Sequence, residues 1–192
     1  MRKNLIVMAA VALMAASGGY FLAMVMEPAP GPSSAVPARA ASEAMPVPRT
    51  ENLIGLQRPD FTLSDTSGAP VSAADFDGKV WLLNFWATWC TPCVEEMPML
   101  SRLQQDYGQR GVRIVGVALD DAEKAREFAL ELALEYPVLV GLTDVMLVGR
   151  RYGNSAGMLP YSVLVDASGT IRWTHLGALK REDLEKQLDS LL

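Results

Sequence analysis

Polar and apolar positions are distributed unevenly along the chain. Leu5 to Met26 carries no charge. As a helix at ~1.5 Å per residue that run would span about 33 Å, enough for a bilayer core of about 30 Å. Arg2 and Lys3 precede it and Glu27 follows, an asymmetry that keeps the N-terminus cytoplasmic and exports everything after Met26. A cleaved secretory signal would have a shorter apolar region, about 7–15 residues, ending near a small-x-small triplet. The best such triplet, Ala38-Arg39-Ala40, lies well beyond the run. The pattern predicts an uncleaved transmembrane anchor in residues 1–26.

Residues 27–51 are expected to form a tether. They hold Pro28, Pro30, Pro32, Pro37, Pro46 and Pro48, half of the chain's 12 prolines, among alanine, serine and charge. Such a segment has little to bury and favours extended backbone. Residues 52–192 make one domain of ordinary size. Within them the apolar spacing alternates between two periods. Asp60–Leu63 predicts a short strand and Val80–Trp86 a strand covered on both faces. Val94–Tyr107 carries Met97, Leu100, Leu103 and Tyr107 at helical spacing. Val112–Leu119 predicts a second buried strand, Ala122–Glu135 an amphipathic helix, and Val138–Leu142 a short strand. Tyr161–Asp166 and Thr170–Thr174 flank a hairpin turn at Ala167-Ser168-Gly169. Arg181–Leu192 closes the chain as a helix. This order predicts an α/β fold with a mixed sheet and helices on both faces.

Composition narrows the chemistry. The net charge is −5, so no basic surplus exists for nucleic acid. Two cysteines and one histidine exclude a disulfide scaffold, a four-thiolate metal or iron–sulfur site and a multi-histidine centre within one chain. No metal or other cofactor is expected. Met97, Met99 and Met158 read as core filler rather than copper ligands. His175 is assigned no role.

Both cysteines fall in Trp89-Cys90-Thr91-Pro92-Cys93, between the Val80–Trp86 strand and the following helix. A helix start carries partial positive charge and unsatisfied N–H groups, which favour a thiolate on the first cysteine. Cys90 is the expected attacking sulfur, and Cys93, one turn inside, would resolve the mixed disulfide. Pro92 suits a first helical turn and helps to fix the ring. The alternatives are a static bridge, half of an intermolecular metal site, and two core cysteines. A bridge closing so short a loop is a poor staple.

Asn84-Phe85-Trp86-Ala87-Thr88-Trp89-Cys90-Thr91-Pro92-Cys93-Val94-Glu95-Glu96-Met97-Pro98 resembles the active-site segment of the thioredoxin superfamily, and within it the membrane-anchored TlpA/ResA-like thiol–disulfide oxidoreductases. Pro59–Leu63, Asp77–Trp81, Tyr136-Pro137-Val138 and Leu159-Pro160 before Val163–Asp166 extend the likeness over most of the domain. The resemblance implies a thioredoxin-like mixed sheet behind the N-terminal anchor. It implies a cis peptide bond at Pro160, with the backbone of Leu159 facing Cys90 for a client strand. Trp89 belongs to the client-facing surface and Trp86 to the core. The family usually has threonine after the proline, so Tyr161 is expected to alter the groove. Glu96 aligns with a glutamate near the active site, and a partly buried carboxyl there would handle the proton of Cys93. Cytosolic thioredoxins have a buried aspartate where this chain has Asn84.

The implied activity is disulfide reduction in exported proteins, apocytochrome c among them. Electrons would come from a membrane thiol carrier of the DsbD/CcdA type, with the catalytic domain in the periplasm or extracytoplasmic space. A disulfide-forming oxidant and a copper(I)-handling protein are the other classes. A peroxidase is disfavoured because peroxiredoxins place threonine three residues before the reactive cysteine, where Ala87 stands.

Overall fold

The computed structural model describes residues 53–192. The expected anchor in residues 1–26 and the tether in residues 27–51 lie outside them. Among the described residues no helix is long and apolar enough to cross a membrane.

The strands are β1 (Thr62–Asp65), β2 (Pro70–Ser72), β3 (Val80–Trp86), β4 (Val112–Leu119), β5 (Val138–Gly141), β6 (Tyr161–Val165) and β7 (Ile171–Leu176). They form one sheet in the order β2-β1-β5-β4-β3-β6-β7. β4 pairs in parallel with β3 and β5; the other pairings, β1 with β2 and β5, and β6 with β3 and β7, are antiparallel. The helices are α1 (Thr91–Gly108), α2 (Ala122–Glu131), α3 (Thr143–Arg151) and α4 (Arg181–Asp189).

The twofold period of a strand divides the core. Val80, Leu82 and Trp86 of β3 join Ile114, Ala118 and Leu164 on one face, under Met97, Leu100 and Leu103 of α1, Ala125 of α2, and Leu184 and Leu188 of α4. Trp81, Leu83 and Phe85 point to the other face, where Val145, Val148 and Tyr152 cover them together with Phe61 and Phe76. Both cysteines belong to the first cluster. Every residue of β3 is buried, as its unbroken apolar run predicts.

Several expected boundaries move. The first strand runs from Thr62 to Asp65 rather than from Asp60 to Leu63. The main helix begins at Thr91 rather than Val94, so the cysteine ring is itself its first turn. It continues through Pro98, which has no N–H to offer the Val94 carbonyl. The helix expected to reach Glu135 stops at Glu131. Ala133 takes a left-handed φ of 47° there. Leu134 N–H bonds the Ala129 carbonyl at 2.9 Å and Ala133 N–H the Leu130 carbonyl at 3.1 Å, a helix-ending pattern that the sequence does not advertise without glycine. α3 was not expected. It is short, opens without a side-chain cap, and mixes Val145, Val148 and Gly149 into nine residues.

Candidate active site

Parallel strands end together, and the chain emerging from β3 must turn at once into α1. Cys90 is the N-cap of α1, in extended conformation, and Pro92 sits in the first turn. Cys93 N–H and Val94 N–H both donate to the Cys90 carbonyl, at 3.0 and 3.1 Å. Cys90 and Cys93 are joined by a disulfide with a Cα–Cα distance of 5.3 Å. Cys90 retains a sliver of exposure (6%), while Cys93 has none. When the bond is reduced, the outer sulfur lies at a helix terminus where negative charge is favoured.

The approach to Cys90 is tied to the neighbouring strand. Asp120, just past the end of β4, accepts from Thr88 N–H at 2.9 Å and from Thr88 Oγ at 2.6 Å. Burial works against the ionised Asp120, but the Thr88 hydrogen bonds and the Asp121 N–H outweigh it and hold the carboxyl below the usual range. Trp89 is left 68% exposed beside Cys90.

A second loop leads into β6 beside β3. The Leu159–Pro160 peptide bond is cis. Leu159 is half-buried and packs against the cluster containing both cysteines as well as the opposite one. Asn154 shapes this loop by donating to the Met158 carbonyl at 2.8 Å and accepting from Met158 N–H at 3.0 Å. Tyr161 does not enter a groove. It is buried on the other face of the sheet, where its hydroxyl donates to the Tyr152 carbonyl at 2.9 Å. The alternation along β6 requires this, because Ser162 and Leu164 take the cysteine side.

Glu96 lies one turn beyond Cys93 and is buried. Asn84 Nδ2 donates to its Oε1 at 2.7 Å, and Leu179 N–H donates to its Oε2 at 2.6 Å. Asn84 also donates to Ser162 Oγ at 3.1 Å. Burial pushes the Glu96 carboxyl up, against the lowering effect of the Leu179 and Asn84 donors. The arrangement brings Cys90, Cys93, Trp89 and Pro92 together from one segment. Glu96 follows one turn inside the same helix, and Leu159, before the cis Pro160, packs against the core cluster to which both cysteines belong.

Sequence reasoning missed three groups. The Asn84–Glu96 bond replaces the buried aspartate of cytosolic thioredoxins by an amide that anchors a carboxylate from the helix. Asp120 was legible in principle: Trp86 pairs with Ala118 across β3 and β4, so the same register two residues on sets Thr88 beside Asp120. Asn154 had no sequence signal. Among the described residues, no group of three or more metal-binding side chains is present.

The profile of the AhpC/TSA family matches residues 54–174. ResA, a thiol–disulfide oxidoreductase of Geobacillus thermodenitrificans, is 34% identical over 144 residues, covering 74% of this chain and 80% of that one. The thioredoxin-like protein YneN of Bacillus subtilis is 37% identical over 139 residues, covering 70% and 78%. Among solved structures, one described as the thiol:disulfide interchange protein DsbE from Chlorobium tepidum superposes with a TM-score of 0.66 at 31% identity, covering 72% of this chain and 96% of that one. A secreted Mycobacterium tuberculosis disulfide oxidoreductase gives 0.59 at 27% identity, covering 68% and 96%.

Proposed function

The chain belongs to the AhpC/TSA family and is a ResA-type thiol–disulfide oxidoreductase with a Cys90–Cys93 pair, and on that premise we propose that it reduces disulfides in exported proteins. The observation that carries the reading is the unequal exposure of the two cysteines at the start of α1. In the reduced protein the Cys90 thiolate attacks one sulfur of a client disulfide. The Cys90–client bond forms, the client S–S bond breaks, and the second client sulfur leaves as a thiolate. Cys93 then attacks Cys90 Sγ, which re-forms the internal disulfide and expels the remaining client sulfur. Two electrons pass to the client, and the two protons shed by Cys90 and Cys93 balance its two new thiols. Glu96 takes the Cys93 proton during the second step, its raised proton affinity being suited to a thiol donor. Trp89, Pro92, Leu159 and Pro160 form the surface along which an extended client strand lies.

Apocytochrome c, whose haem-binding cysteines must be reduced, is the proposed client class, and a membrane thiol carrier of the DsbD/CcdA type the electron donor. The ResA relatives and the secreted mycobacterial oxidoreductase support an extracytoplasmic site of action. Residues 1–26 would then anchor the domain of residues 52–192 to the inner membrane through the tether of residues 27–51.

The test is substitution of each sulfur. Cys90→Ser should abolish reduction of insulin disulfides. Cys93→Ser should retain the first step and accumulate mixed disulfides, separable on non-reducing gels and identifiable by mass spectrometry. Full activity in Cys90→Ser would refute the scheme. A reduction potential far more oxidising than that of thioredoxin would reverse the proposed direction.

A further inference from the structure

Among the described residues, four buried polar atoms on the α1 side of the sheet have no hydrogen-bond partner: Ser101 Oγ on α1 itself, and Asn84 Oδ1, Trp86 Nε1 and the Tyr136 hydroxyl, of which the last three concern the site. Such groups are uncommon and are ordinarily served by bound water. Their positions are related. Asn84 and Gly116 are cross-strand partners on β3 and β4. A Cβ on Gly116 would come within 2.9 Å of Trp86 Nε1 and 3.1 Å of Tyr136 Cε2, so the indole and the phenol share the space above that glycine. Asn84, one strand away, holds Glu96 through its amide.

Tyr136 also belongs to the lining of an open cleft of about 260 Å³ with Leu130, Leu134, Arg126 and Asp65, while its hydroxyl is shut off from solvent. The charged groups around it are therefore Glu96 from α1, Arg126 from α2 and Asp65 from β1, the last two lining the cleft. Burial and the charge of Glu96 both hold the phenol in its protonated, donating form.

We infer that Tyr136 is a positioning residue for Glu96: its hydroxyl, through water shared with Trp86 Nε1 and Asn84 Oδ1, supports the ionised carboxylate. The inference rests on the proposed proton-handling role of Glu96. The disulfide chemistry at the two sulfurs is unchanged.

Tyr136→Phe keeps the ring and its packing. The full-length protein is reduced, mixed with a small model disulfide, and the rate of internal disulfide formation is followed against pH. Loss of the hydroxyl donor should move the acid limb of that profile to higher pH by roughly half to one unit, the equivalent of one hydrogen bond. The shift should vanish when the comparison is repeated in a Glu96→Gln background. A Tyr136→Phe profile that superposes on the native one, accompanied by a higher melting temperature, would make the hydroxyl mere core filling and overturn the inference. A shift that persists without Glu96 would overturn it as well. If Glu96→Gln alone leaves the native profile unmoved, the proton-handling reading of Glu96 fails and takes the inference with it; if it moves the profile while Tyr136→Phe does not, only the inference fails.

Discussion

Glu96 is a carboxyl whose two oxygens are both occupied by donors, yet whose burial still favours its neutral form. The folded chain therefore binds that proton more tightly than the unfolded chain does. The stability this contributes is complete below the unfolded value, about 4.3, and is lost as pH rises through the raised folded value. Glu96→Gln removes that loss. Its melting temperature should exceed the native one by ~2–4 °C at pH 8 and match it at pH 4. Thermal unfolding at the two pH values checks the sign; an equal offset at both would show that ionisation of Glu96 does not matter to the fold. This residue was legible through the resemblance to ResA-like proteins and its spacing from Cys93. Its partners were not, because the Leu179 N–H is 83 positions away and backbone donors leave no mark on sequence.

At the level of elements, the disulfide segment is held at both ends. α1 fixes Cys93, and the tip of β4 fixes Thr88 through Asp120. Asp120→Ala leaves two Thr88 donors unpaired and should cost about 1–3 kcal/mol, read as a lower denaturant midpoint at unchanged slope. Because the Asp120 carboxyl is held low, that stabilisation is present above its unfolded value and is lost as pH falls through the folded one. The native and Asp120→Ala midpoints should accordingly converge in acid. The strands and helices flanking this segment were readable because their apolar periods are long: seven consecutive buried residues in β3 and a repeated helical stripe in α1. α3 and β2 were not. Nine residues with valines and a glycine, or three beginning with proline, carry too short a pattern to separate helix from strand.

For the molecule as a whole, the order of elements predicted a mixed sheet with helices on both faces, and the seven-stranded sheet bears this out. The two core layers followed from alternation alone. The pairing of β1 and β2 at the far edge did not, since antiparallel neighbours can be added to either side of a parallel centre. The proposed anchor makes its own statement at this scale. The full chain should remain with membranes after alkaline carbonate extraction, and a chain lacking residues 1–26 should appear in the soluble fraction; equal behaviour of the two would refute anchoring by that segment. The sealed position of Cys93 has a wider meaning for thiol–disulfide exchange. In the proposed scheme bystander molecules bond to the outer cysteine and the inner one waits within reach to cut them loose. Unproductive encounters are thereby kept brief, at the expense of one oxidised enzyme that the proposed electron donor must reduce again.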